Sequence, residues 1–351
     1  MIIPVSITPL EVATTDDLLA ALRTNDLTRA VEGSSDGFIR FDPRFACWGY
    51  SSETANMAAN NIYGRVGLWV GVGDAHPTKA AQEAANEVEE LGFTTMWVPE
   101  AVGRDVFVAS TNYLAATKTL KIATGIANIY ARDPMTTNAS TRTLAEAYPD
   151  RFLLGLGVSH GHLVAGIRKH DYSKPLSYMS EYLDRMDSAL FMAVGPKETP
   201  PRVLAALGPK MLELSATKAL GTHPYFTTPD HTLMAREAVG PNALVMPEQM
   251  VVLETDPEKA RDIARSKMKI YLGLPNYTNN LLRIGFTAED WADGGSDRLV
   301  DAITCWGSVD KIVARVAEHH AAGADHVCIQ VLRADNEFPR AEWKQLADAL
   351  L

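Results

Sequence analysis

Little in this chain points to a covalent framework or a strongly charged partner. Only three cysteines, Cys47, Cys305 and Cys328, occur in 351 residues, odd in number and without CxxC spacing. That argues against a disulfide scaffold and against a zinc knuckle. No apolar run approaches the length of a membrane span. The N-terminus lacks the basic flank and apolar core of a secretion signal, which predicts a cytoplasmic protein. Basic charge is also short: 33 Lys and Arg stand against 43 Asp and Glu, a formal charge of −10. Nucleic acid or an anionic membrane is therefore a poor candidate for the main partner. A small anionic ligand needs only a local cluster of basic side chains and helix N-termini.

What is present is a rhythm. The composition, 46% hydrophobic and 22% charged, is that of a globular protein long enough for one large barrel or two ordinary domains. Residues 1–65 stand apart as an N-terminal extension of unknown role. They hold one amphipathic stretch, Thr15 to Val31, followed by polar and glycine-rich sequence. From Val66 onward short apolar runs alternate with helical patterns. The predicted strands are 67–70, 93–98, 121–129, 151–158, 202–207, 221–226, 249–253 and 326–331. Helices are predicted at 78–91, about 106–117, 134–148, 177–192, from 209, at 229–239, after Asp256, at 308–321 and at 339–350. Residues 272–300 break the pattern after the seventh strand and read as an insertion. Eight βα units predict parallel strands and a closed (β/α)₈ TIM barrel. A doubly wound open sheet fits less well, since no GxGxxG turn follows the first strand.

In such a barrel chemistry gathers where strands end, at the C-terminal face. Glu100, Asn128, Ser159, His160, Gly208, His223 and Tyr225 fall there. Gly125 interrupts an otherwise β-branched run, Ile122 to Ile129, which marks either a tolerated core glycine or a close approach of the backbone to a ligand. Gly208-Pro209-Lys210 opens a helix, and its free N–H groups and positive dipole end favour an anion. His160-Gly161-His162 has the spacing of a metal pair, but it lies after the fourth strand rather than on the first. His319-His320 sit mid-helix and read as a solvated face. Trp97 and Tyr225 could stack on a ligand or simply pack.

Several stretches together resemble the luciferase-like monooxygenase superfamily, and within it the deazaflavin (coenzyme F420)-dependent oxidoreductases. They are Trp97-Val-Pro-Glu100 with Gly103-Arg-Asp105, Thr124 to Pro134, Arg151 to His160, Leu204 to Leu214, Leu274 to Leu281 and Gly323 to Val327. The resemblance covers about residues 66–335 and implies that 66–351 is one cofactor- and substrate-binding barrel. It implies a cis peptide between Gly125 and Ile126 behind the ring of the cofactor. It places the cofactor against Gly125, Ile126, Ala127 and Asn128, against Gly157, Val158 and Ser159, and against Ala206, Leu207, Gly208, Pro209 and Lys210. The last group would hold the phosphate-bearing tail. His160 stands where a proton-donating acid is found in some members, and Glu100 where some carry a catalytic histidine. Trp97, His223 and Tyr225 are the substrate candidates, and no metal is implied.

The expected activity is hydride transfer between coenzyme F420 and a small organic substrate, with homodimers common among similar proteins. An FMN-dependent monooxygenase of the same superfamily is the alternative. A metal-dependent hydrolase and a non-catalytic deazaflavin-binding protein are alternatives of other classes.

Overall fold

A computed structural model describes residues 62–351. The amphipathic stretch at 15–31 and nearly all of the N-terminal extension lie outside the described residues. Among the described residues no helix is long and apolar enough to cross a membrane.

The barrel wall is built from β1 (Val66–Trp69), β2 (Thr95–Val98), β3 (Lys121–Thr124), β4 (Ala127–Asn128), β5 (Phe152–Gly157), β6 (Arg202–Leu204), β7 (Gly221–Thr222), β8 (Leu244–Val245), β9 (Glu248–Val252) and β11 (Val327–Val331). Every pairing is parallel, in the order β9-β11-β1-β2-β3-β5-β6-β7-β8, with β4 continuing beside β5. Two staves are broken. β3 and β4 are one stave interrupted at Gly125–Ile126, whose peptide bond is cis, as the resemblance implies. β8 and β9 are one stave interrupted at Met246-Pro247. The closure runs through this break: the Asp325 N–H donates to the Val245 carbonyl and the Cys328 N–H to that of Pro247, both at 2.9 Å. Counted as staves, the wall has the eight members that the alternation predicts.

The helices pack outside, as βαβ crossovers require. They are α1 (Thr78–Glu90), α2 (Val106–Ala116), α3 (Pro134–Ala147), α4 (Pro175–Asp187), α5 (Pro209–Lys218), α6 (Pro229–Val239), α7 (Pro257–Leu272), α11 (Val309–Ala321) and α12 (Arg340–Leu350). Their starts follow the capping rules. The Asp105 and Asp133 carboxylates each accept two N–H bonds from the first turns of α2 and α3, and Asp256 does the same for α7. The interior is filled by Tyr63, Trp69, Trp97, Ala123, Leu153, Val203, Leu220, Leu244, Met246 and Cys328.

The structure corrects several expectations. Strands end earlier than their apolar runs, because the last residues of 202–207 and 221–226 turn out into the rim. The fourth helix runs 175–187, since Pro175 starts it, and residues 188–200 are irregular. The insertion is helical, with α8 (Pro275–Arg283), α9 (Ala288–Trp291) and α10 (Asp297–Ile303), and returns as β10 (Thr304–Trp306), parallel to β9. The barrel also begins before Val66: Tyr63 is 2% exposed, and its carbonyl accepts from Thr95 Oγ1 at 2.7 Å. His319 is not solvated. It lies on the inward stripe of α11 with Ile312 and Val316, bonded to Gln249 and to Thr232, each at 2.8 Å.

Candidate active site

The ends of β4, β5, β6 and β7 are neighbours, so the segments singled out in sequence meet along one arc of the mouth. Ala127 and Asn128 lie opposite Leu156 and Gly157, and Leu156 opposite Leu204. The Ala205 N–H donates to the Leu156 carbonyl and the His223 N–H to that of Leu204, both at 2.8 Å. The strands themselves are sealed. Gly125, Ile126, Val158, Ser159, His160, Leu207 and Gly208, at their tips, are half-buried and form the accessible rim.

Two glycines shape this arc. A Cβ at Gly125 would stand 2.8 Å from Trp69 Nε1 and 3.2 Å from His223 Nε2. At Gly157 it would meet the Ile126 side chain at 2.5 Å. Neither position has room for a side chain, so neighbouring groups pack directly against the backbone there.

His160 follows Ser159, which takes a left-handed φ of 56°, and the turn is pinned by the Tyr172 hydroxyl donating to the Ser159 carbonyl at 2.8 Å. The His160 Nδ1–H donates to Asn276 Oδ1 on α8 at 3.1 Å. Burial lowers the pKa of His160 and the Asn276 bond only partly opposes it, so the ring is neutral at pH 7, with its lone pair on Nε2. At neutral pH the Nε2 lone pair is able to accept a proton; the resemblance implies proton transfer at this position.

Glu100 has no free oxygen. Both face the Arg132 guanidinium, and one also accepts the Asn128 N–H at 2.8 Å. Burial works against the charge on Arg132, but its bonds to Glu100 and Asp105 outweigh that and raise its pKa. This geometry ties Glu100 to Arg132 and to the backbone of β4. Trp97 is likewise not at the surface: it is fully buried and its indole N–H donates to His326 Nε2 at 3.0 Å. Its place is the barrel interior.

His223, buried, and Tyr225, half-buried, follow β7. The His223 Nδ1–H donates to the Met246 carbonyl at 2.8 Å, which leaves Nε2 as an acceptor with no partner, fully enclosed beside Gly125. The Tyr225 hydroxyl donates to Gln330 Oε1 and pairs with the Tyr271 hydroxyl, each at 2.8 Å. At the far side of the mouth, between the ends of β1 and β11, Trp69, Tyr271 and Gln330 line a cavity of about 400 Å³ rimmed by Lys267 and Arg333.

Sequence reasoning missed Glu248, Gln330, Tyr271 and Asn280. Glu248 opens β9, level with Cys328 of the barrel interior. Burial raises its carboxyl from the usual 4.5 to about 8, partly opposed by the Phe226 N–H, and Oε1 has no partner. Asn128 Nδ2 and both amide atoms of Asn280 are also buried without partners. A polar residue opening an apolar strand, as Glu248 does in Glu-Gln-Met-Val-Val, was the signal available. Buried polar groups are nearly always bonded, so each of these atoms is a candidate for a ligand contact; others without a partner, such as Ser110 Oγ on α2 and Asn138 Oδ1 on α3, lie on the outer helices.

Among the described residues no three His, Cys, Asp or Glu side chains gather as a metal would require, so the hydrolase alternative finds no ligand set there.

Fold and site together define a (β/α)₈ barrel with a ligand mouth at its C-terminal face. The chain belongs to the luciferase-like monooxygenase family, whose model matches residues 62–326. It is 30% identical over 120 residues to a Mycobacterium tuberculosis protein put forward as a coenzyme F420-dependent oxidoreductase, covering 34% of this chain and 35% of that one. It is 25% identical over 284 residues to the 5,10-methylenetetrahydromethanopterin reductase of Archaeoglobus fulgidus, covering 68% of this chain and 85% of that one. Among solved structures, an F420-dependent secondary alcohol dehydrogenase in complex with an F420-acetone adduct superposes with a TM-score of 0.67 at 15% identity, over 82% of this chain and 99% of that one.

Proposed function

We propose that residues 62–351 form a coenzyme F420-dependent oxidoreductase acting on a small organic alcohol or carbonyl compound. The observation that carries this reading is the arc itself. Along it lie two glycines without room for a Cβ and two enclosed polar atoms without partners, Asn128 Nδ2 and His223 Nε2, a donor and an acceptor. That fits the edge of a heterocycle. When bound, a 5-deazaflavin supplies two-electron hydride transfer.

The chain's own residues do the rest. Gly125, Ile126 and Asn128 back the ring, with Gly157, Val158 and Ser159 beside it. Ala206, Leu207 and Gly208 lead to the start of α5, where Lys210 is exposed and the first turn offers N–H groups to a phosphate. His160 Nε2 accepts a proton from a substrate hydroxyl, or returns it to a carbonyl in the reverse direction. Tyr225, Tyr271 and Gln330 offer hydrogen bonds to the substrate across the mouth.

Titration of the purified protein with coenzyme F420 and with FMN, followed by cofactor fluorescence, tests the assignment. Saturable uptake of the deazaflavin is expected. Tight binding of FMN with none of the deazaflavin would replace this reading with that of a flavin monooxygenase.

A further inference from the structure

Helix α8 belongs to the insertion, yet two of its side chains meet the cofactor arc and a third, fully buried, lies between them. Asn276 accepts from His160 at the end of β5. Arg283, at the last residue of α8, stands over Gly208: a Cβ there would lie 3.5 Å from its Nη2. Asn280 lies between them, one turn from each, on the buried stripe with Tyr277 and Leu281. It is fully buried, and neither its amide oxygen nor its amide nitrogen has a partner. Burying an amide with no hydrogen bond forfeits its solvation without return, so such a residue needs a reason.

We propose that α8 is a strap across the cofactor arc, and that Asn280 and Arg283 bind the part of the cofactor that joins ring to phosphate. The inference rests on the cofactor reading above. Positions along the helix assign the roles. His160 and Gly125 lie at the ring end, and the start of α5 lies at the phosphate end. Asn280, between them, faces the hydroxylated linker, and a primary amide offers both a donor and an acceptor to a run of hydroxyls. Arg283 adds a planar guanidinium to the N–H groups of α5 and the ammonium of Lys210, a combination suited to a phosphate.

The test uses the full chain and two pairs of probes: coenzyme F420 and its dephosphorylated deazaflavin core, and FMN and riboflavin. Arg283→Gln should weaken the phosphorylated probes about tenfold and flatten the salt dependence of their binding, while leaving the dephosphorylated ones unchanged. Asn280→Leu should weaken phosphorylated and dephosphorylated probes alike. The same variant should raise the urea midpoint of the unliganded protein, because it removes an unsatisfied amide; a merely structural asparagine would lower it. Unchanged affinities in both variants, or loss of the dephosphorylated probes with Arg283→Gln, would overturn the strap while leaving the cofactor reading intact. A wild-type chain that takes up none of the four probes would overturn both.

Discussion

The indole of Trp97 and the imidazole of His223 lie face to face inside the barrel, with centroids 4.1 Å apart and 14° between planes. The stack, with the Met246 carbonyl on Nδ1, fixes which nitrogen of His223 points toward Gly125. It also buries the imidazole completely; His326, bonded to the same Trp97, and His319 on α11 are buried too.

These histidines predict an acid-labile fold. Burial lowers His223 and His326 from 6.5 to about 4, and His319 to about 3. Each is neutral when folded and takes a proton when unfolded, so its contribution is present above pH 6.5 and is lost as pH falls through 4. Glu248 acts with the opposite sign. Its folded carboxyl holds a proton up to about 8, so its share is complete below 4.5 and is lost as pH rises toward 8. Urea midpoints measured against pH should rise from pH 4 to 6.5. In Glu248→Gln the decline between 6.5 and 8 should disappear, where each pH unit is worth at most about 1.4 kcal/mol.

Gly125→Ala should abolish or cut cofactor affinity at least about tenfold, because a methyl group would enter the space between Trp69 and His223. Overpacking should also lower stability by roughly 1–3 kcal/mol. Fluorescence titration and urea unfolding on the same sample read both effects. Unaltered binding would show that Gly125 does not face the ligand.

Glu100→Ala should act on the fold. It leaves the half-buried Arg132 with Asp105 alone and frees the Asn128 N–H, at a cost of about 3 kcal/mol in unfolding free energy. Glu100→Gln, which keeps an acceptor for Asn128, should lose less. A base would behave otherwise: Glu100→Gln would then abolish turnover at unchanged stability.

For His160 the measurement is the pH profile of kcat/KM. Its folded pKa lies below 6.5, and the neutral ring is the competent form for taking a proton from an alcohol. Activity in the oxidative direction should therefore rise through an inflection below 6.5. His160→Gln should flatten that limb and lower the rate by about 10²–10⁴-fold. Asn276→Leu removes the Nδ1 partner and should move the inflection lower still.

The alternation from Val66 onward carried the barrel, because parallel strands covered on both faces leave apolar runs that helices punctuate. Gly125, Gly157 and Gly208 were visible as glycines at strand tips and a helix start. Their role depends on what a Cβ would strike, which is a relation between strands rather than along one. Glu100 illustrates the limit: its pairing with Arg132 joins residues 32 apart in the chain, a contact that spacing alone does not display. Glu248 and Gln330 stayed hidden because a polar residue within an apolar run looks like a boundary until its partners, or their absence, can be counted in space, and Asn280 because it sits in a polar stretch, Asn-Tyr-Thr-Asn-Asn, where burial leaves no mark. His319 went astray because two adjacent histidines on one helix face different ways, and only packing tells which turns inward.

The insertion leaves the barrel from α7, which packs against β9, and comes back along β9 itself as β10. Both its ends are thus fastened to a single stave. Such a segment can be resized or exchanged between related chains without re-registering the rest of the wall. Diversification in ligand handling can then proceed through this one cassette while the scaffold beneath it stays the same.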